Sequence, residues 1–331
     1  VIGEDDLIAR HFAPIAGPGG LGLLDDAALL SPRPGDDLVI TKDALVAGVH
    51  FFPDDPPGAI ARKALRVNLS DLAAKGAEPV GFLLGLGLPP GIDEAWVAAF
   101  AKGLGEDAKE RACPLLGGDT VRSPGGLTLS ITAIGTCEAG TMTRRGTGRA
   151  GHLLAVTGTI GDAALGLRLR LEPEAAWAKA LSPRAKAFLL DRYLLPRPRN
   201  ALAASIRAHA SAAMDVSDGL LGDAVKLAAA AKRGLAPRIA LQSVPLSDAA
   251  REAVAIEPSL MRTALTGGDD YEILMAAKPA DVDQLLAGCA ASGCPAQVIG
   301  ALAEADAPEF VGPDGQAARF DALKFEHGWQ G

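Results

Sequence analysis

The chain has 331 residues, room for two domains of ordinary size, and is 49% hydrophobic and 22% charged. A formal net charge of -8 with no Lys/Arg run argues against nucleic-acid binding. The longest apolar run, Val80–Leu88, is too short to span a bilayer, and the opening VIGEDDLIAR has no signal-peptide core. Cys113, Cys137, Cys289 and Cys294 lack a zinc spacing and read as free thiols of a reducing cytoplasm.

Leu7, Ile8, His11, Phe12 and Ile15 recur at helical spacing and predict a short amphipathic helix over Glu4–Ile15. GPGGLG (17–22) matches the dinucleotide pattern GxGxxG in letters only, because it follows no strand and contains a Pro. Asp25–Leu30 and Leu38–Ala44 read as strands with Asp26 and Asp43 at or near their ends. The spacing of Ile60, Ala64, Leu65, Leu69 and Leu72 predicts a long helix from Ala59, capped at Gly76 and stopped by Pro79. Asn68 and Asp71, three apart, share one face of it. Val80–Leu88 reads as a buried strand and Asp93–Ala112 as a helix with Asp93 its N-cap. A short strand over Pro114–Gly117, ending at Asp119, and a strand over Leu127–Thr136 complete an α/β arrangement in residues 1–138.

The polar, Gly-rich and basic stretch GTMTRRGTGRAG (140–151) marks a domain boundary. Beyond it, strand Leu153–Thr157 leads through Gly158 and Gly161 into helix Asp162–Leu171. That turn suits either a phosphate, held by free N–H groups, or a plain strand–helix corner. Helices follow at 183–194 and 199–210, then strand Ala212–Val216 and a helix whose start carries Asp215, Ser217 and Asp218. Strand Tyr271–Ala277, a helix at 279–291, a strand at 296–301 and a hairpin-like piece at 309–320 make this half α+β.

Acidic turns recur throughout: LLDDAA (23–28), TKDAL (41–45), NLSD (68–71), GGDT (117–120), MDVSDG (214–219) and TGGDDYE (266–272). Taken singly, each aspartate has an ordinary use as a cap or turn residue. Taken together, Asp26, Asp43, Asp71, Asp119, Asp215 and Asp218 suggest one shared site. Two carboxylates ~5 Å apart repel by about 3 kcal/mol at an effective dielectric of 20, so such a site calls for cations. Oxygen-only ligands at turns suit Mg²⁺, whose open positions phosphate oxygens complete. The pattern points to ATP and phosphoryl transfer. The sequence has no GxxxxGK[ST], HRD or DFG, which excludes P-loop and protein-kinase versions of that chemistry.

In this order, DDAALL, TKDALVAGVHF, KALRVNLSDLAAKGAEP, GGDT, MTRRG, VTGTIGDAALGL, MDVSDGL and TGGDDYEI closely resemble the thiamine-monophosphate kinase family. That family lies within the aminoimidazole ribonucleotide synthetase-like superfamily, and the resemblance covers nearly the whole chain. It implies a two-domain α/β plus α+β fold. Residues 1–140 would form an ATP/Mg-binding and dimerisation domain, and 141–331 a C-terminal domain completing the active-site cleft. It further implies a cytoplasmic homodimer using ATP, thiamine monophosphate and several Mg²⁺, with no nucleic acid and no membrane. The reaction would be direct in-line transfer of the γ-phosphoryl group, giving thiamine diphosphate.

Matched position by position, Asp26, Thr41, Lys42, Asp43, Asp71, Asp119, Asp215 and Asp218 fall at the family's metal positions. Gly118, Asp119, Arg144 and Ser217 fall at nucleotide positions, and His50, Asp269 and Phe325 at thiamine positions. Asp71, Asp119, Asp215 and Arg144 form the implied catalytic set. Three positions depart from the family pattern. Leu24 replaces a Gly, Lys42 replaces a small hydroxyl residue and can offer metal only its carbonyl, and Asp269 replaces a Glu. Two other readings stay open: a sister enzyme with a different acceptor, and a non-catalytic ATP–Mg²⁺ sensor. Selenophosphate synthetase would want a reactive Cys near the N-terminus, and none precedes Cys113. The hydrogenase maturation dehydratase would want a C-terminal Cys where this sequence reads GWQG. A pure sensor has no use for His50, Asp269 and Phe325.

Overall fold

The computed structural model describes residues 3–231 and 234–323. The chain divides into two compact units, Val1–Leu72 with Ala77–Met142, and Ala73–Gly76 with Thr143–Gly331.

The first unit opens on α1 (Glu4–Leu7), a π-type turn over Ile8–Phe12 and 3-10 turns at Ala13–Ile15 and Pro18–Leu23. The single helix predicted over Glu4–Ile15 is therefore broken. Pro14 has no N–H to continue the α ladder, and the chain tightens around it while Leu7 and Phe12 stay buried. Residues 25–30 are not a strand either. The Asp26 N–H bonds to the Asp25 side chain (2.8 Å), a local alternative to a ladder partner.

A four-stranded sheet follows from β1 (Asp36–Val46), β2 (Glu78–Leu88), β3 (Leu115–Arg122) and β4 (Thr128–Glu138), in the order β1-β4-β2-β3. β2 and β3 are parallel, so they need a crossover, and α3 (Glu94–Glu110) supplies it; β4 runs antiparallel to both its neighbours. Asp93 caps α3 by accepting from the Trp96 N–H at 2.8 Å. α2 (Pro57–Ala74) is apolar on more than one side, and Ile60, Ala61, Ala64, Leu65, Leu69 and Leu72 are all fully buried. Gly76 takes φ +68° behind it, with its N–H on the Ala73 carbonyl, and the Ala77 N–H reaches the Leu72 carbonyl. α2 and α3 are locked by a two-pronged ion pair between Arg66 and the buried Asp107 (2.5 and 2.7 Å). They also touch backbone to backbone where Gly58 meets Gly103.

The second unit contains β5 (Leu153–Thr157), α4 (Asp162–Leu171), α5 (Ala176–Ala180), α6 (Pro183–Leu194), α7 (Ala203–His209) and β6 (Ala212–Val216). It continues with α8 (Leu220–Ala231), β7 (Leu235–Ala240), α9 (Asp248–Ile256), α10 (Leu260–Thr266) and β8 (Glu272–Ala277), then α11 (Val282–Ala291), β9 (Ala296–Glu304) and β10 (Glu309–Val311). Its six-stranded sheet has the order β10-β7-β9-β5-β8-β6, antiparallel except for β10 on β7. Both faces of the sheet are covered. Leu154, Val156, Met214, Val216 and Leu274 pack on one side with Leu220, Leu221 and Leu227 of α8. The alternate residues Ala155, Ala213, Ile273 and Met275 pack on the other with Ile206 of α7 and Leu285 of α11. This two-sided burial is why β6 and β8 are almost wholly apolar, with Asp215 and Glu272 as the charged residues in them. α4, α5, α6, α9 and α10 gather around a third cluster that includes Leu165, Trp177, Leu189 and Leu260.

Among the described residues no helix is long and apolar enough to cross a membrane. The α2–α3 contact yields a direct test. A Cβ on Gly103 would lie 2.5 Å from the Gly58 Cα, so Gly103→Ala must push two helices apart. It is expected to cost about 1–3 kcal/mol, read as a lower midpoint in urea unfolding.

Candidate functional site

In the first unit, the acidic turns fall into two groups. Asp26, Lys42, Gly118 and Asp119 line one cavity of about 730 Å³, together with Ser130, Thr132, Phe12 and Leu84. The sheet register explains the company: Lys42 stands opposite Thr132, and Asp119 opposite Gly85, all at the same cavity. Gly118 is there for close approach, since a Cβ would lie 1.9 Å from the Leu84 carbonyl oxygen. Asp26 and Asp119 are exposed carboxylates at this cavity.

Thr41 and Asp43 alternate with Lys42 along β1 and so point to the opposite face, where α2 lies. The Thr41 hydroxyl donates to Asp71 Oδ2 at 2.5 Å, and the Asp43 N–H donates to Asn68 Oδ1 at 3.0 Å. Asn68 is itself fully buried and donates to the Ala64 carbonyl, so β1 is registered on α2 through polar groups in an otherwise apolar helix. Burial, and next the Asp71 charge, push the Asp43 carboxyl up from 3.8 to about 6, with Lys42 opposing. Asp43 and Asp71 are thus a like-charged pair held close by their own scaffold.

Among the described residues, no three or more His, Cys, Asp or Glu side chains form a group that could hold a metal ion. The donors come instead as a pair, Asp43 with Asp71, and as two carboxylates lining a cavity. That set fits Mg²⁺, which takes one or two carboxylates and fills its octahedron with phosphate oxygens and water. A doubly charged cation would also offset both the burial and the Asp71 repulsion that raise Asp43.

Leu24, at the position of a family Gly, needs no glycine, because its φ is -106°; the left-handed residues are Leu21, Gly22 and Leu23. His50 accepts the Val46 N–H on Nδ1 at 3.0 Å and is half-buried.

In the second unit, Asp215 is buried at the end of β6, and Ser217 and Asp218 follow in a turn before α8. The N–H groups of Ser217 and Asp218 both donate to Asp223 Oδ2 at 3.0 Å. Lys226 pairs with Asp223 (2.9 Å) and with Asp218. Burial raises the Asp223 carboxyl, against the pull of these partners. Arg144 is exposed at the head of a 3-10 turn. Asp269 takes φ +73°, a region Asp enters more readily than most residues, and its N–H bonds the Ser217 carbonyl at 2.9 Å. Phe325 lies outside the described residues.

The glycine turn at 158–161 proves to be a corner, and its anion belongs to the chain. Asp270 accepts the N–H groups of Gly161 (2.6 Å) and Ala163 (3.1 Å) at the start of α4. Glu272, fully buried, accepts from Thr157 Oγ1 (2.7 Å), Arg192 (2.9 Å) and Arg199 (2.8 Å). Asp162 accepts from Ser247 and Thr159. Burial, then the Asp162 charge, raise Asp270 well above the usual carboxylate range. Sequence reasoning missed these residues; the acids of GGDDYE just before the apolar run Ile273–Ala277 were the signal available.

These features define a protein of the AIR synthase-related class. Its N-terminal domain model matches residues 24–137 and its C-terminal domain model residues 149–312. The thiamine-monophosphate kinase of Caulobacter vibrioides is 44% identical over 98% of this chain and 90% of its own length. That of Escherichia coli K12 is 38% identical over 98% of each. The chain belongs to the thiamine-monophosphate kinase family. The crystal structure of thiamine-monophosphate kinase from Stenotrophomonas maltophilia K279a superposes with TM-score 0.80 at 40% identity, covering 89% of this chain and 91% of that one. AaThiL complexed with AMPPCP and TMP gives 0.76 at 28% identity, covering 97% and 96%.

The Asp43 shift has a measurable consequence. Its folded value of about 6 lies above the ordinary 3.8, so folding favours the protonated form. That contribution is fully present below about pH 4 and is lost as pH rises through about 6. Mg²⁺ binding needs the carboxylate, so the rise in melting temperature on adding Mg²⁺ is expected to grow across this window. Asp43→Asn should raise the metal-free melting temperature at pH 7 and flatten that growth; differential scanning calorimetry reads both.

Proposed function

We propose that the protein transfers the γ-phosphoryl group of ATP to the phosphate of thiamine monophosphate, releasing ADP and thiamine diphosphate. The full-length likeness to thiamine-monophosphate kinases carries this reading, and the relative bound to AMPPCP, an ATP analogue, and TMP supports both substrates. The new bond forms between an acceptor phosphate oxygen and Pγ while the bond from Pγ to the bridging oxygen of ADP breaks. The attacking oxygen is already anionic, so the chain need not supply a strong base. Its task is to position two polyanions and to offset their repulsion.

Asp26, Asp43, Asp71, Asp119 and the Lys42 carbonyl are read as holding Mg²⁺, with Thr41 fixing the Asp71 carboxylate. Bound Mg²⁺ would neutralise phosphate oxygens and the charge that develops on the leaving ADP. Gly118 leaves backbone open to the nucleotide, and Arg144 supplies a guanidinium for phosphate oxygens. In the second unit, Asp215 and Asp218 are read as further Mg²⁺ carboxylates and Ser217 as a nucleotide contact. His50, Asp269 and Phe325 are assigned to the thiamine moiety, where a carboxylate and an aromatic face suit an aminopyrimidine and a thiazolium cation. Residues 1–140 are read as the ATP/Mg²⁺ and dimerisation domain, and 141–331 as the domain that completes the site. Four buried free thiols fit a cytoplasmic setting.

A homodimer is part of the same reading. Leu38 and Ile40 alternate on the open face of β1, at 46% and 62% exposure, and Leu83 and Val121 are also exposed on β2 and β3. An apolar sheet face of this kind suits a second copy. Light scattering is expected to give twice the monomer mass, and Ile40→Glu is expected to halve it.

Incubation with ATP, Mg²⁺ and thiamine monophosphate should yield ADP and thiamine diphosphate in equal amounts. ATP binding without turnover contradicts the reading. Asp71→Asn should lower turnover by about a hundredfold or more while the circular dichroism stays native; a near-normal rate removes Asp71 from the metal site.

A further inference from the structure

Asp269 is the described residue of the second unit assigned to the acceptor, and it sits in an unusual piece of backbone. Asp269 and Tyr271 both lie in the left-handed region, at φ +73° and +51°, with Asp270 between them. Side chains alternate along the segment: Asp269 and Tyr271 are half-buried, whereas Asp270 and Glu272 are at most 1% exposed.

Each buried acid is an anchor. Asp270 places both carboxylate oxygens on N–H groups of the first turn of α4, Gly161 at 2.6 Å and Ala163 at 3.1 Å. Glu272 is fixed by Thr157, Arg192 and Arg199. The backbone between them is tied to the turn carrying Ser217 and Asp218: the Asp269 N–H reaches the Ser217 carbonyl and the Tyr271 N–H the Val216 carbonyl, both at 2.9 Å. Gly268 lies so close that a Cβ would come 2.3 Å from the Ser217 carbonyl oxygen.

We infer that Asp270 is a positioning residue for the acceptor: seated on the start of α4, it sets the backbone from which Asp269 presents its carboxylate to thiamine monophosphate. The inference rests on the assignment of Asp269 to the acceptor. Left-handed Asp and Tyr persist only where their surroundings over-determine them, and the two anchors are those surroundings. An amide at 270 offers one acceptor to two N–H donors and turns its own NH₂ toward the other. Its neighbour then relaxes, and the Asp269 carboxylate moves off the acceptor. The nucleotide contacts of the first unit stay as they were, and the Ser217 N–H keeps its separate hold on Asp223.

The test uses the full-length chain and begins with the unmodified protein. If that protein does not phosphorylate thiamine monophosphate, the reading beneath fails and the positioning role falls with it. If it does, Asp270→Asn is expected to raise KM for thiamine monophosphate about tenfold or more and to leave KM for ATP within about twofold. Arg199→Gln, which leaves Arg192 on Glu272, is expected to shift the same constant severalfold in the same direction; it keeps the test alive if Asp270→Asn does not fold. A purely structural role would lower the melting temperature and the active fraction with both Michaelis constants unchanged, and that result overturns the proposal. So does a parallel rise in both.

Discussion

Asp43 and Asp71 are brought together by the fold, among the described residues neither makes an ion pair, and much of the first unit serves that encounter. β1 delivers Asp43 and α2 delivers Asp71. Asn68, buried in α2, takes the Asp43 N–H, and Thr41 takes hold of Asp71. Of the influences on Asp43, the pull of Lys42 is the weakest, and burial and the second carboxylate dominate. An arrangement that holds two like charges close and half-buried is poised for a small divalent cation. It is also what an enzyme needs when both substrates are anions.

The second unit treats buried acids in the opposite way. Asp162, Asp223, Asp270 and Glu272 are fully or almost fully buried, but each is met by donors from the chain: hydroxyls at Asp162, backbone N–H groups and Lys226 at Asp223, a helix start at Asp270, two guanidinium groups at Glu272. Such satisfied groups hold shape. They fix the turns on which Ser217, Asp218 and Asp269 ride. In the first unit Asp43 and Asp71 face each other at a place suited to metal, whereas these four acids of the second unit are spent on rigidity.

Much of this was legible in the sequence because the relevant signals were local. The Gly76 cap, the Asp93 cap and the strands Leu153–Thr157 and Ala212–Val216 each follow from a few neighbouring residues. Asn68 and Asp71 stood out as polar residues on an apolar helix and do meet β1. The misses have physical causes. Pro14 breaks a helix whose apolar spacing looked continuous, and Pro237 hides β7, which keeps its place between β10 and β9. The strand read at 25–30 had the right composition, but the segment joins neither sheet, and the Asp26 N–H turns to the Asp25 side chain instead. The two-way split of the acidic residues could not be read from turns alone. It depends on which face of β1 each side chain takes, and register settles that only once strands pair. Likewise, the phosphate-like turn at 158–161 is filled by Asp270, more than a hundred residues away.

Crystals grown with AMPPCP, thiamine monophosphate and Mn²⁺ in place of Mg²⁺ give the most direct test of the central claim, through the anomalous signal of the metal. The account predicts a manganese peak within bonding distance of the Asp43 or Asp71 carboxylate oxygens, shared with phosphate oxygens. Manganese on the phosphates alone, with both carboxylates turned away, would contradict it.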